Sequence, residues 1–136
     1  MRTLYLLLIL LLSFQSCSTS NDEPMVQEED MQMEEMSETV EGSFMSGAHP
    51  TIGKATANND KMKLSFTNFK TDAGPSLEVY LATDASASNY VTLGALQGVE
   101  GDYEYMLPNN IDLEVYNHVI IWCVPFSVNF GYAVLE

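Results

Sequence analysis

Short stretches in which apolar and polar residues alternate, separated by turn-forming residues, make up most of the chain after Gly42. Met62, Leu64 and Phe66 alternate with polar neighbours, and residues 77–81 repeat the pattern as Leu-Glu-Val-Tyr-Leu. A period of two places the apolar side chains on one face of a β-strand. Because no stretch has the period of a long amphipathic helix, the sequence predicts an all-β domain.

The turn signals give the approximate number of strands. Residues 53–57 and 62–67 flank the turn-forming run Asn58-Asn59-Asp60, which is typical of a β-hairpin. Residues 110–116 are expected to form one helical turn that Asn110 caps. Further strands are expected at 77–81, 90–93, 103–107 and, once or twice, in the stretch that ends the chain. About seven short strands in ~95 residues indicate a small antiparallel β-sandwich or barrel-like domain.

The chain ends in the apolar stretch HVIIWCVPFSVNFGYAVL, which contains Cys123. In a strand, Val119, Ile121 and Cys123 would lie on one face, and Ile120 and Trp122 would lie on the other. Both faces are apolar, which predicts a central strand that is covered on both sides. A free cysteine in such a strand packs as a small hydrophobe, so we expect the thiol to be poorly exposed.

The N-terminus has the regions of an export signal. Met1-Arg2 is positively charged, and Leu4 to Leu12 is an apolar run of nine residues, far short of the ~20 that span a bilayer as a helix. The small residue Ser16 then precedes Cys17, and this segment resembles the lipobox of bacterial lipoproteins. The resemblance implies that residues 1–16 are a signal peptide and that Cys17 is lipidated. The alternative is an ordinary signal peptide that leaves Cys17 as a plain thiol.

A lipid on Cys17 would anchor the protein in a membrane. An Asp at the next position would suggest retention in the inner membrane, and because Ser18 stands there, we expect the outer membrane. Residues 17–41 are rich in Asp and Glu and contain no Lys, Arg or aromatic residue. Mutual repulsion keeps such a segment open, so we expect a tether that holds a folded domain of residues 42–136 off the membrane, facing the periplasm or the cell surface. The alternative function of this segment is to bind Cu(I), because the thioether sulfurs of Met31, Met33 and Met36 are ligands that suit this ion.

Composition and motifs exclude several classes of function. The net charge is −14, from 19 acidic and 5 basic residues, and nucleic acid is therefore excluded as a partner, because phosphate binding needs clustered Lys and Arg. The sequence has no Gly-x-Ser-x-Gly elbow, no phosphate-binding loop and no His-Glu-x-x-His, which favours a redox carrier or a binding protein over a stand-alone enzyme. The carboxylates of the domain have the pattern of a solvated face: Asp72, Glu78, Asp84, Glu100, Asp102 and Glu104.

A series of short motifs over residues 42–136 resembles the DM13 domain family in order and spacing. The motifs include Gly42-Ser43-Phe44, Ala48-His49, Gly74-Pro75, Leu77-Glu78-Val79-Tyr80-Leu81 and the final Trp122-Cys123, Phe126 and Phe130-Gly131. The chain departs from many animal members at residues 72–76, which read Asp-Ala-Gly-Pro-Ser. The most specific part is the ending, Trp-Cys-x-x-Phe-x-x-x-Phe-Gly.

The resemblance implies a component of an extracytoplasmic electron-transfer system with an unidentified redox protein as partner. It places the family's characteristic cysteine on Cys123, as a redox thiol or as the ligand of a prosthetic group such as haem, and it places a histidine on His49. A Cys123 and His49 pair would suit copper, because thiolate and imidazole ligands bind this metal. Haem needs a larger pocket than such a small domain readily provides, and the sequence has no covalent Cys-x-x-Cys-His motif.

Two interpretations of Cys123 stay open. A redox or ligand thiol requires the thiolate, which needs a positive charge or a metal nearby, and the sequence neighbours supply neither. A structural cysteine requires only a packed interior. The sequence therefore predicts an outer-membrane lipoprotein with a redox role through Cys123. The alternative is a cell-surface binding or interaction module in which Cys123 only packs. We expect His118 to be an edge residue and Trp122 to fill the core.

Overall fold

The computed structural model describes residues 39–60 and 62–136, and these residues form eight β-strands. In chain order the strands are β1 (Thr39–Ser46), β2 (Ile52–Asn58), β3 (Lys63–Lys70), β4 (Leu77–Ala82), β5 (Tyr90–Ala95), β6 (Glu100–Met106), β7 (His118–Cys123) and β8 (Val128–Val134). The all-β prediction is confirmed. The expected signal peptide, Cys17 and all of the tether except its last three residues lie outside the described residues. Within the described ranges, no helix has the length and apolar character needed to cross a bilayer.

The strands form one antiparallel sheet in the order β5-β4-β7-β8-β1-β2-β3-β6, which folds around the core like a nearly closed barrel. β1 joins the two halves of the sheet, because residues 39–43 pair with β2 and residues 44–46 pair with β8. Gly42 lies where β1 changes its partner. A Cβ at this position would overlap the Val134 carbonyl, so the close crossing requires glycine.

The predicted hairpin is formed by β2 and β3. Leu64 and Phe66 point into the core and are at most 1 % exposed, as the alternation predicts. Phe69 is buried as well, which breaks the period of two, because the pairing of β3 with β6 shifts between Phe66 and Phe69. Asn68 has a φ of 51° in this bulge, and its N–H donates to Asp102 Oδ1 at 2.8 Å.

β7 lies between β4 and β8 and is covered on both faces, as predicted. Its inward-facing residues are fully buried in the main core: Val119, Ile121 and Cys123. Ile120 is fully buried on the outer face, where a stack of three aromatic rings covers the sheet. Tyr80 is central in the stack, 4.1 Å from the Tyr90 ring and 5.7 Å from the Trp122 ring. Trp122 therefore packs on the outer cluster and not in the main core.

The segment between β6 and β7 contains the single helical turn that was expected, but with a different cap. The Tyr116 N–H donates to the Asp112 carbonyl at 2.8 Å, and Asp112 Oδ1 accepts from the Glu114 N–H at 2.9 Å. Asp112 therefore caps the turn in place of Asn110, because its short carboxylate reaches the N–H two residues later.

The first strand begins earlier than the sequence pattern indicates. β1 starts at Thr39, so it includes the last three residues of the segment that we expected to be tether. Thr39 pairs with Asn58 in β2, and Glu41 forms an ion pair with Lys54 at 2.6 Å. Cross-strand contacts of this kind hold a polar segment in a sheet although its own sequence has little apolar surface to bury.

Candidate functional site

Cys123 is the last residue of β7, at the end of the barrel-like sheet where β7 turns into β8. Its cross-strand neighbours are Leu77 in β4 and Val128 in β8. The residue is fully buried and belongs to the main core cluster, so the prediction of a poorly exposed thiol is confirmed.

The Cys123 thiol is held under the loop that leads into β4. Its Sγ donates to the Pro75 carbonyl at 3.3 Å, and the Val124 N–H donates to the Ser76 carbonyl at 3.2 Å. The two turns beside the thiol each contain a left-handed serine, Ser76 with a φ of 48° and Ser127 with a φ of 52°. A left-handed backbone costs a residue with a Cβ about 1–2 kcal/mol, so both turns next to the sulfur store strain.

A surface depression of about 350 Å³ adjoins the buried thiol. Pro75 and Val128 form part of its wall, and both are direct neighbours of Cys123, but Cys123 itself is not in the lining. Phe126, in the turn between β7 and β8, stands at the depression with 70 % of its surface exposed. The remaining lining residues are Ala48, His49, Ala73, Gly74 and Phe130. The depression is therefore mostly apolar, with one imidazole.

His49 is fixed at the depression by a ring contact and by a hydrogen bond. Its imidazole stacks on Phe130 with the ring centroids 3.8 Å apart, and its Nδ1 lies 3.0 Å from Asp72 Oδ2. A carboxylate can only accept a hydrogen bond, so Nδ1 carries the proton of this contact. In the neutral imidazole, Nε2 is then the nitrogen with the free electron pair, and it can accept a proton from a ligand.

A buried hydroxyl network fixes the backbone that carries His49. Thr51 is 1 % exposed, and its Oγ1 lies 2.9 Å from the Thr71 Oγ1 and 3.2 Å from the carbonyls of His49 and Phe130. A Cβ on Gly131 would overlap the Thr51 side chain, so glycine in β8 gives the threonine its space. The network joins the loop before β2 to the end of β3 and to β8.

Gly74 allows the loop before β4 to lie directly on Phe130. A Cβ at Gly74 would lie 2.7 Å from the Phe130 Cζ, which is closer than real side chains approach. The same loop carries Asp72, which pairs with His49, and Pro75, which accepts from Cys123. One loop therefore contacts both of the residues that the sequence singles out.

The structure does not bring Cys123 and His49 into a shared ligand set: His49 lines the depression, whereas Cys123 bonds the Pro75 carbonyl and is not part of the lining. Among the described residues, no three His, Cys, Asp or Glu side chains come together in a way that could hold a metal ion. Copper on both residues would require the buried thiol to leave Pro75 and the packed core, so this arrangement does not fit copper. It does not fit haem on Cys123 either, because Sγ lies in the packed core and not in the lining of the depression.

No described lysine supplies a positive charge to the thiol. Each of the three pairs with a glutamate on β1 or β6: Lys54 with Glu41, Lys63 with Glu104, and Lys70 with Glu100. These pairs are exposed to solvent, as the sequence pattern of the carboxylates predicts. The sequence grouped Asp72 with them, and the pattern gave no signal that it contacts His49, which lies 23 residues earlier.

The two other residues considered from the sequence lie away from the depression. His118 begins β7, and its Nδ1 is 2.7 Å from Asn117 Oδ1, while its ring stacks on Tyr132. Trp122 stacks on Tyr80 on the outer face of the sheet. Neither residue lines the depression.

The comparisons with known proteins place the domain in a family. The family model described as "Electron transfer DM13" matches residues 43–135, which is more than half of the chain and includes all eight strands except the beginning of β1. No curated protein and no solved structure matches the chain. The match includes Cys123, His49 and every residue that lines the depression. The chain belongs to the electron transfer DM13 family.

Proposed function

We propose that the domain acts in an extracytoplasmic electron-transfer or redox process through the thiol of Cys123. The observation that carries the proposal is the bond between the sulfur and Pro75, a residue that lines the depression together with the His49 imidazole. The domain that contains this site belongs to an electron-transfer family. Membership of an electron-transfer family supports the redox role. The use of the thiol is our inference.

Thiol–disulfide exchange is the chemistry that one thiol of this kind can perform without a bound cofactor. The Cys123 thiolate attacks one sulfur of a disulfide, a new S–S bond forms, and the other sulfur leaves with the electron pair of the broken bond. The thiol proton passes to a base or to the departing thiolate. Cys123 is thereby oxidised to a mixed disulfide, and the departing sulfur is reduced to a thiol. A disulfide, in a small molecule or in a partner protein, is the oxidant.

The reaction requires the structure to open locally, because Cys123 is fully buried. The candidates for movement are the loop at Pro75–Ser76, which bonds the sulfur, and the turn from Val124 to Ser127, which follows Cys123 directly; both contain a left-handed serine. Opening a short strained turn costs less than unfolding the sheet. A thiol under such a turn can react while the core stays folded.

We also propose that a lipid on Cys17 holds the protein at the outer membrane and that the acidic segment after it serves as a tether. The support is the sequence alone, with its short apolar run before Ser16-Cys17. Replacing Cys17→Ser should release the protein from the membrane fraction and remove the lipid mass from its N-terminal peptide. A variant that stays in the membrane fraction without lipid would contradict the anchor.

A second candidate function has a specific observation in its favour. The Cys123 thiol is fully buried, and its S–H has an acceptor in the Pro75 carbonyl, as in an inert structural cysteine. In that case the domain is a binding or interaction module, and the depression with its exposed Phe126 is the surface that a partner contacts.

A redox titration separates the two candidates. The full chain with Cys17→Ser has Cys123 as its single cysteine, and it is equilibrated in mixtures of oxidised and reduced glutathione under native conditions. We expect a mass increase of one glutathione that reverses on reduction and is absent from a Cys123→Ser variant. If Cys123 stays reduced in the folded protein at every ratio and reacts only after unfolding, the thiol is structural and the redox proposal through Cys123 fails.

A further inference from the structure

We propose that the depression beside Cys123 binds a hydroquinone, the reduced form of a quinone. The ring would lie between the apolar walls at Phe126, Val128 and Pro75, and one phenolic O–H would donate to Nε2 of His49. This inference rests on the proposed redox function, since it names the chemical class of a redox partner for the same site.

The size and the polarity of the depression suit a single ring. Its volume of about 350 Å³ lies at the lower end of the range for small-molecule sites. The lining consists mainly of apolar side chains, among them Phe126, Phe130, Pro75 and Val128, and its one polar ring is the imidazole of His49. A ligand that fits is therefore flat, largely apolar and equipped with an oxygen at its rim.

Charge restricts the ligand further. The chain carries a net charge of −14, and Asp72 bonds the one imidazole in the lining of the depression. An anionic ligand would be repelled by this background, and a cation would find no set of three ligating side chains within the described residues. A neutral hydroquinone meets neither difficulty.

With a neutral imidazole, the contact between His49 and Asp72 favours the reduced form of the ligand. Because Asp72 accepts the Nδ1 proton, the neutral imidazole presents Nε2 as an acceptor. A hydroquinone O–H can donate to this nitrogen, whereas a quinone carbonyl, which is itself an acceptor, cannot bond to it. The stack of His49 on Phe130 holds the plane of the imidazole in place at the edge of the depression, which reduces the cost of ordering this ring when a ligand binds.

Phe126 supplies the driving force for binding. It is 70 % exposed in the turn between β7 and β8, the highest exposed fraction among the large apolar side chains of the described residues. A ring placed against Phe126 and Pro75 removes apolar surface from water, and this burial is the main favourable term in association. Phe126 also belongs to the turn that covers Cys123, so an occupant of the depression would contact the element that must move for the thiol to react.

The test uses three ring compounds of one shape and the full chain with Cys123→Ser. The probes are tetramethylhydroquinone, tetramethylbenzoquinone and tetramethylbenzene, because full ring substitution blocks addition of thiols and the last compound has no oxygen. Backbone amide shifts in NMR titrations report the location and the dissociation constant under anaerobic conditions. We expect shifts at Ala48, His49, Gly74 and Phe126. The hydroquinone should bind about fivefold to tenfold more tightly than the other two probes, as one hydrogen bond allows.

Three variants test the role of the imidazole. His49→Phe keeps a ring on Phe130 but has no nitrogen, and it should remove the preference for the hydroquinone without changing the affinity for tetramethylbenzene. His118→Phe makes the same substitution outside the depression and should leave all three affinities unchanged. Asp72→Ala keeps the imidazole and frees its Nδ1, and it should reduce the preference about threefold, within the range of one weakened hydrogen bond.

Equal affinities for the three probes, a preference that survives His49→Phe, or shifts confined to residues outside the depression would overturn the hydroquinone site. Since the protein in this experiment has no Cys123 thiol, a negative result leaves thiol exchange untouched. An inert thiol in the glutathione titration likewise leaves a positive binding result intact.

Discussion

The carbonyl of Pro75 accepts a hydrogen bond from the Cys123 Sγ at 3.3 Å, and this contact joins the loop before β4 to the end of β7. Three residues earlier, the same loop carries Asp72, which holds the imidazole of His49. The thiol and the histidine are thus linked through one loop and not through a direct contact. A shift of this loop should change both the exposure of the sulfur and the position of the imidazole.

Displacing the loop should expose the thiol. Gly74→Ala places a Cβ against the Phe130 ring, 2.7 Å from its Cζ, so the loop must move. We expect alkylation of Cys123 in the folded protein to become about tenfold faster, which corresponds to a decrease of ~1.4 kcal/mol in the free energy of local opening. Mass spectrometry of protein treated with iodoacetamide measures the rate.

Gly94→Ala is the control for this change. Gly94 has a φ of 103° on the edge strand β5, which β4 separates from β7, and no atom lies within 4 Å of an added Cβ, so the substitution strains the backbone without a clash. Gly94→Ala should change the alkylation rate of Cys123 only to the extent that it lowers the free energy of global unfolding. If both variants accelerate alkylation in proportion to their loss of stability, the loop has no special role.

Removing the buried hydroxyl of Thr51 should destabilise the fold. Thr51→Val leaves the Thr71 hydroxyl and two backbone carbonyls without this partner, and we expect the free energy of unfolding to fall by about 1–3 kcal/mol. Thr67→Val, at an exposed position of β3, should change it by less than about 0.5 kcal/mol. Urea denaturation measures both values.

The double variant Thr51→Val with Thr71→Val provides the coupling energy of the pair. Because the second substitution removes a group that the first one left unsatisfied, the double variant should lose less stability than the sum of the two single variants. Strictly additive losses would contradict the hydrogen bond between the two hydroxyls.

Truncating the thiol should have a modest structural cost. Cys123→Ala leaves a small void in a fully buried position of the main core, and we expect a loss of about 1–2 kcal/mol in the free energy of unfolding. A loss near zero in urea denaturation would mean that the sulfur contributes little to packing, and the structural interpretation of Cys123 would lose its physical basis.

Tyr80 should titrate far above the usual range of tyrosine. Burial, together with the neighbouring Tyr90 hydroxyl, raises the pKa of Tyr80 from 10.0 to about 12. The fold holds the neutral phenol, so its contribution to stability is fully present below about pH 10 and is lost as the pH rises through about 12. Tyrosinate absorbance should show a group that titrates near pH 12 and disappears in Tyr80→Phe. Titration of all tyrosines near pH 10 would contradict the buried stack.

Local pattern was sufficient to predict most of the fold. The alternation around Leu64 and Phe66 gives the buried face of β3, and the two apolar faces of the final stretch predict that β7 is central, because side-chain direction in a strand depends only on position. The buried thiol of Cys123 follows from the same pattern. The bulge that turns Phe69 inward was not predictable, since it depends on how β3 pairs with β6.

The candidate site depends on contacts between distant segments, which the sequence pattern does not contain. Asp72 reaches His49 across 23 residues, and Thr51 reaches the Phe130 carbonyl across 79. The sequence singled out Cys123 and His49 by residue type and family resemblance. Only the folded chain shows that a loop and a wall separate them, and that Phe126 and Phe130 form a depression between the imidazole and the sulfur.

The most direct test of the redox account is the dependence of Cys123 alkylation on urea, in the full chain with Cys17→Ser. If a local opening exposes the sulfur, the rate at low urea should be nearly independent of denaturant and at least about tenfold faster than global unfolding allows. If the sulfur is reached only by global unfolding, the rate will rise from the lowest urea concentrations with the full denaturant slope of the unfolding equilibrium. The first result is the one that we predict. The second would contradict a redox function of Cys123 in the folded protein.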